Sequence, residues 1–179
     1  MTDAIAATRT LVVERVMPHP PEKIWRALTQ GPLLEEWLMQ NDFQPVVGRR
    51  FNFRADPMPH WNGVVDCELL VVEPNKRLSY RWNASGAEAA TGIKTIVTWT
   101  LTPANGGTHV RMEQSGFRPE DTGNYQGANY GWQKYVAGLE RVAAGCHENH
   151  SGVPLSTAAG DAALAARRAD RRHVVRGLF

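Results

Sequence analysis

The stretch Pro18-His19-Pro20-Pro21-Glu22-Lys23-Ile24-Trp25-Arg26-Ala27-Leu28 separates two kinds of periodicity. Before it, residues 8–17 hold Leu11, Val12, Val13 and Val16, the β-branched and apolar mass of a strand. The prolines end that strand, because proline cannot donate to a ladder. Proline is tolerated in a first helical turn, so Pro20-Pro21 also opens a helix over residues 22–28. Ile24, Trp25 and Leu28 give it one apolar face. Gly31-Pro32 breaks it, and Leu33, Leu34, Trp37 and Leu38 form a second short amphipathic helix.

Working onward, the period becomes two. Phe51 and Phe53 alternate with Asn52 and Arg54. A long strand over residues 61–73 places Val65, Cys67, Leu69 and Val71 on one face, with Asp66 and Glu68 opposite, toward water. After a turn at Glu73-Pro74-Asn75-Lys76, Leu78, Tyr80 and Trp82 share a face, and Arg81 is expected to pair with those acids across strands. Residues 83–92 are small and polar, which predicts a mobile loop. In residues 93–102, Ile93, Val97, Trp99 and Leu101 face one way. Asn105-Gly106-Gly107 is a hairpin signal, and Thr108, Val110 and Met112 pair back, with Glu113 outward. Residues 117–128 read as a loop. From Asn129 the period turns helical, with Trp132, Val136, Leu139, Ala143 and Cys146 on one side and Lys134, Glu140 and Arg141 on the other. Gly138 inside that helix costs about 1 kcal/mol against alanine, so it is read as permitting close sheet approach or room for a ligand.

Strand, helix pair, run of strands, long helix is an α+β order. One helix laid across a curved antiparallel sheet cannot close flush, and the hollow beneath it is the functional lead. Residues 1–146 are read as this single domain. They carry 15 Lys+Arg and 15 Asp+Glu, a balance that argues against a nucleic-acid surface. Residues 147–179 are an Ala- and Arg-rich tail, with five arginines and three acids, expected to be disordered or a loosely docked helix. A solvated solubility tail is preferred there to an anion-binding one. No run of about 18 apolar residues suggests membrane insertion. No secretory signal is read at residues 1–10, and Cys67 and Cys146 form no CxxC, so a cytoplasmic protein with reduced thiols is expected.

The chemistry-bearing residues do not converge. His19, His60 and His109 have no triad context, although His60 and Trp61 sit by a loop that could rim a pocket mouth. Cys146-His147-Glu148-Asn149-His150 is the one metal-like cluster, and it lacks a second pair of ligands. No phosphate-binding glycine loop appears. No catalytic residue, metal site or cofactor is therefore assigned.

The order and spacing of Pro21, Ile24-Trp25, Ala27, Thr29, Trp37, Gly48, Gly63, Pro74, Leu78, Gly107-Thr108, Ser115-Gly116-Phe117 and Gly131-Trp132 resemble the START-like (SRPBCC) superfamily. The closest resemblance is to the branch related to the C-terminal domain of the activator of heat-shock protein 90 ATPase. The match covers residues 8–146. It departs at Gln114, where relatives often carry histidine, and in the tail, and no counterpart of the activator's N-terminal domain is read in residues 1–179. The resemblance implies a helix-grip fold, also seen in birch-pollen-allergen-like proteins, with a cavity between sheet and last helix.

Alternation predicts the cavity's lining: Phe51, Phe53, Tyr80, Trp82, Val97, Trp99, Met112, Trp132, Val136 and Leu139. Such a wall suits a lipid-like or aromatic small molecule held by burial. The leading expectation is a binder of a small hydrophobic ligand. The alternatives are a chaperone-linked or regulatory interaction module, and a cyclase- or hydrolase-like enzyme using the same pocket.

Overall fold

Proline placement sets the first boundary. In the computed structural model, which describes residues 7–145, strand β1 (Arg9–Met17) stops at Pro18, and helix α1 (Pro21–Thr29) starts on Pro21. Helix α2 (Gly31–Trp37) follows, with proline again in its first turn. The two helices are tied together by the Trp37 indole N–H, which donates to the Ala27 carbonyl at 2.8 Å.

The strands then run β2 (Gln40–Asn41), β3 (Arg50–Arg54), β4 (Val64–Glu73), β5 (Arg77–Ala84), β6 (Lys94–Ala104) and β7 (Gly107–Phe117), before helix α3 (Thr122–Gly145). They form one curved, open antiparallel sheet in the order β1-β7-β6-β5-β4-β3-β2. α3 packs against α1, α2 and β1, so the sheet grips it. The β6–β7 hairpin turns through Asn105-Gly106, and only Gly106 takes positive φ, at 77°.

Five expectations need correction. The last helix begins at Thr122 rather than near Asn129, because tertiary contacts hold its glycine-rich first turns. Tyr125 stacks edge-on against Phe117 at 5.3 Å, and the Arg9 guanidinium lies 4.5 Å from the Tyr125 ring. The strand read from Trp61 begins at Val64, since residues 58–61 fold back as a Met58–Trp61 bridge. A bulge between Leu69 and Val71 reverses parity, so Val72 rather than Val71 packs on the core. Glu140 does not face away: it is ion-paired with Arg15 of β1. The Gly138 gap is filled by α2, not by the sheet, because a Cβ there would meet the Trp37 Cβ at 3.4 Å. The tail and the Cys146–His150 cluster lie outside the described residues.

A second latch sits before α3. Asp121 is buried, and Arg118 donates to it three times, Nε to Oδ2 and Nη2 to Oδ1, both at 2.9 Å, and its backbone N–H to Oδ2 at 2.8 Å. The same guanidinium donates to the Thr91 and Gly92 carbonyls at 2.9 and 3.3 Å. Hydrogen bonds from Arg118 hold the Asp121 carboxyl below its usual range. A depressed folded-state value contributes stability above the unfolded carboxylate range, near pH 4, and loses it as pH falls through the folded value. Asp121→Asn is therefore expected to cost about 1 kcal/mol at pH 7, given the solvent screening of Arg118. Thermal melts across pH should show the gap from wild type narrowing below about pH 4. A gap unchanged at pH 2 would show that the charge contributes nothing.

Candidate functional site

The site starts from alternation. On β3, β5, β6 and β7, every second side chain points toward α3, and these positions carry the largest rings in the chain. All ten residues expected to line the hollow come together there, each 2 % exposed or less. Phe51 meets Phe53 and Tyr80 at 5.4 and 5.7 Å between ring centroids. Phe53 continues to Trp82 at 5.4 Å, Trp82 to Trp132 at 5.3 Å, and Trp132 to Trp99 at 5.8 Å. Val97, Met112, Val136 and Leu139 belong to the same buried cluster. The result is an aromatic column between sheet and helix.

Polar handles within the column bond to each other. The Trp99 indole donates to the Tyr80 hydroxyl at 3.1 Å. Burial pushes the Tyr80 phenol well above its usual range, so it stays neutral. The Trp132 indole donates to Gln114 Oε1 at 2.7 Å, Gln114 Nε2 donates to Thr95 Oγ1 at 2.9 Å, and Thr95 donates to the Trp82 carbonyl at 2.7 Å. Gln114 and Thr95 add to the expected lining. Parity places them there: Gln114 follows Val110 and Met112 by twos, and Thr95 lies between Ile93 and Val97.

The outer face follows the charge alternation. Asn52 donates to Asp66 at 2.6 Å, and Arg81 pairs with Glu68 at 3.6 Å, as the sequence suggests. Arg50, Asn83 and these four rim a shallow trough of about 450 Å³. Cys67 lies beneath, a free thiol whose ionisation is pushed up by burial. Among the described residues, no three metal-ligating side chains cluster.

A second hollow, of about 350 Å³, opens at one end of the grip. Its walls are residues 57–62, then Ala84, Ser85, Ala87, Glu88, Gly92 and Ile93, and Asn124 of α3. Trp61, Ala84 and Ile93 are buried members of the same core cluster as the column, so they floor the cleft on its far side. Met58, Pro57, Pro59 and Ala87 add apolar surface, and His60, Asn62, Ser85, Glu88 and Asn124 supply polar groups. The two walls are pinned together, since Asn62 Nδ2 donates to Ser85 Oγ at 3.1 Å. The Met58–Trp61 bridge closes the first wall with mutual backbone bonds of 2.8 and 3.0 Å. Arg118 holds the second through Thr91 and Gly92. The His60-Trp61 loop, where a plain surface histidine is the preferred sequence reading, lines this cleft. The floor and the second wall come from residues that are distant in sequence.

A curved antiparallel sheet gripping one long helix, with two short helices after the first strand, defines the START-like class. Residues 18–144 match the family model described as "Activator of Hsp90 ATPase homolog 1-like protein". The chain belongs to this AHSA1 family. It is similar to protein MLL2253 from Mesorhizobium loti, with 55% identity and a TM-score of 0.71 over 78% of this chain and 99% of that one. It is also similar to DynU16, a protein of the dynemicin biosynthetic locus, with 25% identity and a TM-score of 0.61 over 74% of this chain and 46% of that one. The Aha1 dimer from Colwellia psychrerythraea shares the fold at 24% identity and a TM-score of 0.64, over 75% of this chain and 96% of that one. No curated protein matches the chain. Among the described residues, no helix is long and apolar enough to cross a membrane.

Proposed function

We propose that this is a cytoplasmic binding protein that takes up a small hydrophobic molecule at the open end of its helix grip and holds it by burial, without bond chemistry. The observation that carries this reading is the pinned cleft of about 350 Å³ with its apolar floor and polar rim. That volume lies near the small end of ligand pockets, which run from about 300 to 1,000 Å³. The occupant is therefore fragment-sized, with its apolar body against Trp61, Ala84 and Ile93. None of the ten interior residues lines this cleft; they belong to the same buried cluster as its floor. A longer ligand would extend toward Phe53, Trp82 and Trp132, displacing floor side chains as it entered. A relative encoded in a biosynthetic locus supports a role in handling small molecules.

The test is a thermal-shift and native mass-spectrometry screen with lipids, aromatics and polyketide-like compounds, run on the wild type and on Ala87→Trp. Ala87 is exposed and lines the cleft, so an indole there fills the space without touching the core. The expected result is a ligand that raises the melting temperature of the wild type, is recovered unchanged, and binds the variant at least about tenfold more weakly, a difference near 1.4 kcal/mol. Equal binding to both proteins would move the site elsewhere. Turnover of the ligand would favour the enzyme reading. No ligand, together with specific capture of a chaperone from lysate, would favour the interaction module.

A further inference from the structure

β1 is the terminal strand of the sheet and pairs with β7 on one side only. A Cβ added to Gly107 would collide with the Met17 carbonyl oxygen, so Met17 aims its backbone polar groups at β7. Successive residues of a strand aim theirs to opposite sides. Val12, Glu14 and Val16 therefore present N–H and C=O at the open edge, where nothing among the described residues bonds them. Open edges are ordinarily blunted by proline, lysine or a bulge. Here a register shift at Arg9–Thr10 and Pro18 blunt only the two ends. Residues 11–17 between them contain neither proline nor lysine. Val12 and Val16 project from the outer face of this stretch, 38 % and 58 % exposed. Its charged side chains are engaged within the chain: Glu14 accepts from Arg111 at 2.8 Å, and Arg15 pairs with Glu140. The edge thus offers no spare charge to an acidic or basic peptide.

We propose that this edge is an interface between two copies of the chain, their β1 strands pairing antiparallel about a two-fold axis at Glu14. The self-complementarity of the stretch selects this occupant and this register. Glu14 is the middle of residues 11–17, so the whole open stretch overlaps with its copy. Val12 falls opposite Val16 of the second copy, and Val16 opposite its Val12, apolar on apolar. An axis at Val13 or Arg15 would instead set Glu14 against a valine. The three facing pairs exchange about six N–H···O bonds, which uses every open backbone group of Val12, Glu14 and Val16. The two Glu14 carboxylates meet near the axis, each with its own Arg111 guanidinium at 2.8 Å and His109 at 3.6 Å. A contact built on one strand edge is smaller than a standard stable interface, so the dimer is weak. This inference goes beyond the binding reading and is independent of it, since β1 contributes no residue to the cleft.

Sedimentation velocity of the full chain, from about 5 to about 500 µM, tests the association. The weight-average mass is expected to rise from that of one chain toward that of two. Val16→Lys puts a charge on an exposed position and should weaken self-association at least about tenfold, with the melting temperature of the dilute protein unchanged. Val46→Lys changes another exposed valine, away from β1, and should leave association as in the wild type. Cross-linking with a short bismaleimide reads the register, with the wild type giving the baseline from Cys67 and Cys146. Glu14→Cys lies on the axis and should link to its own copy. Val12→Cys lies about 13 Å along the strand from its copy and should stay at the baseline. A single-chain mass throughout the range, or a dimer that survives Val16→Lys, would overturn the interface. Equal cross-linking of the two cysteine variants would overturn the pairing about Glu14.

Discussion

Trp132→Ala is expected to lower the melting temperature by roughly 10 °C or more, from a loss of about 3–5 kcal/mol. The indole is fully buried at the centre of the aromatic column. It touches Trp82, Trp99 and Tyr135 at centroid distances of 5.3, 5.8 and 5.7 Å. Truncation removes those contacts and opens a cavity that three other rings cannot collapse into without leaving their own rotamers. It also strips Gln114 Oε1 of its 2.7 Å donor, leaving a buried acceptor with an unmet desolvation cost. Trp132→Phe separates the two effects. It restores most of the apolar volume but not the N–H, so its cost should be about 1–3 kcal/mol, mostly the unpaired amide. Adding Gln114→Leu to Trp132→Phe should then recover part of that loss, because both polar partners have gone. Equilibrium urea unfolding of the three variants checks this. If Trp132→Ala unfolds within about 1 kcal/mol of wild type, the column is not close-packed and the interior already holds adjustable space.

The split between column and cleft explains what could be read from the chain. The column was legible because its members lie on strands, where parity alone assigns a face: Phe51 and Phe53, Tyr80 and Trp82, and Val97 and Trp99 each follow by twos. Parity fails where the backbone adds a residue, and the bulge beside Leu70 therefore moved the inward position from Val71 to Val72. Propensity fails where packing overrides it. Gly123, Asn124 and Gly127 disfavour helix, yet Tyr125 locked between Phe117 and Arg9 carries α3 back to Thr122. Gln114 was visible as a departure from the family's usual histidine, and its side-chain face followed from its place in β7, but its partners came from β6 and α3. The cleft was the least legible part. Only its His60-Trp61 rim had a signal. Its other wall and the Asn124 contribution meet it through loop geometry, which has no period to read.

That loop geometry turns on one residue, and its replacement should have the second large effect. Gly63 is the residue at which β4 leaves the β3 ladder. The Ala55 N–H still donates to the Gly63 carbonyl at 2.8 Å, one step beyond the Arg54–Val64 pair. Gly63 takes φ +84°, and a Cβ built on it would lie 2.3 Å from the Ala55 carbonyl oxygen and 3.1 Å from the Pro57 nitrogen. Both neighbours are backbone, so neither can rotate away. Gly63→Ala therefore combines left-handed strain with a steric clash, for about 2–4 kcal/mol. The matched control is Gly48→Ala. Gly48 has nearly the same φ, +82°, but nothing within 4 Å of its added methyl, so it should cost only the conformational term of roughly 1–2 kcal/mol. The difference between the two measures the backbone approach alone. Relief of the clash must push residues 55–57 away from β4 and carry the Met58–Trp61 bridge with them. Gly63→Ala should therefore lose cleft binding at temperatures where it is still folded, while Gly48→Ala keeps it. Equal stability losses in the two variants, measured by chemical unfolding, would mean that the chain at residue 63 relaxes freely and that the cleft wall is not set by it.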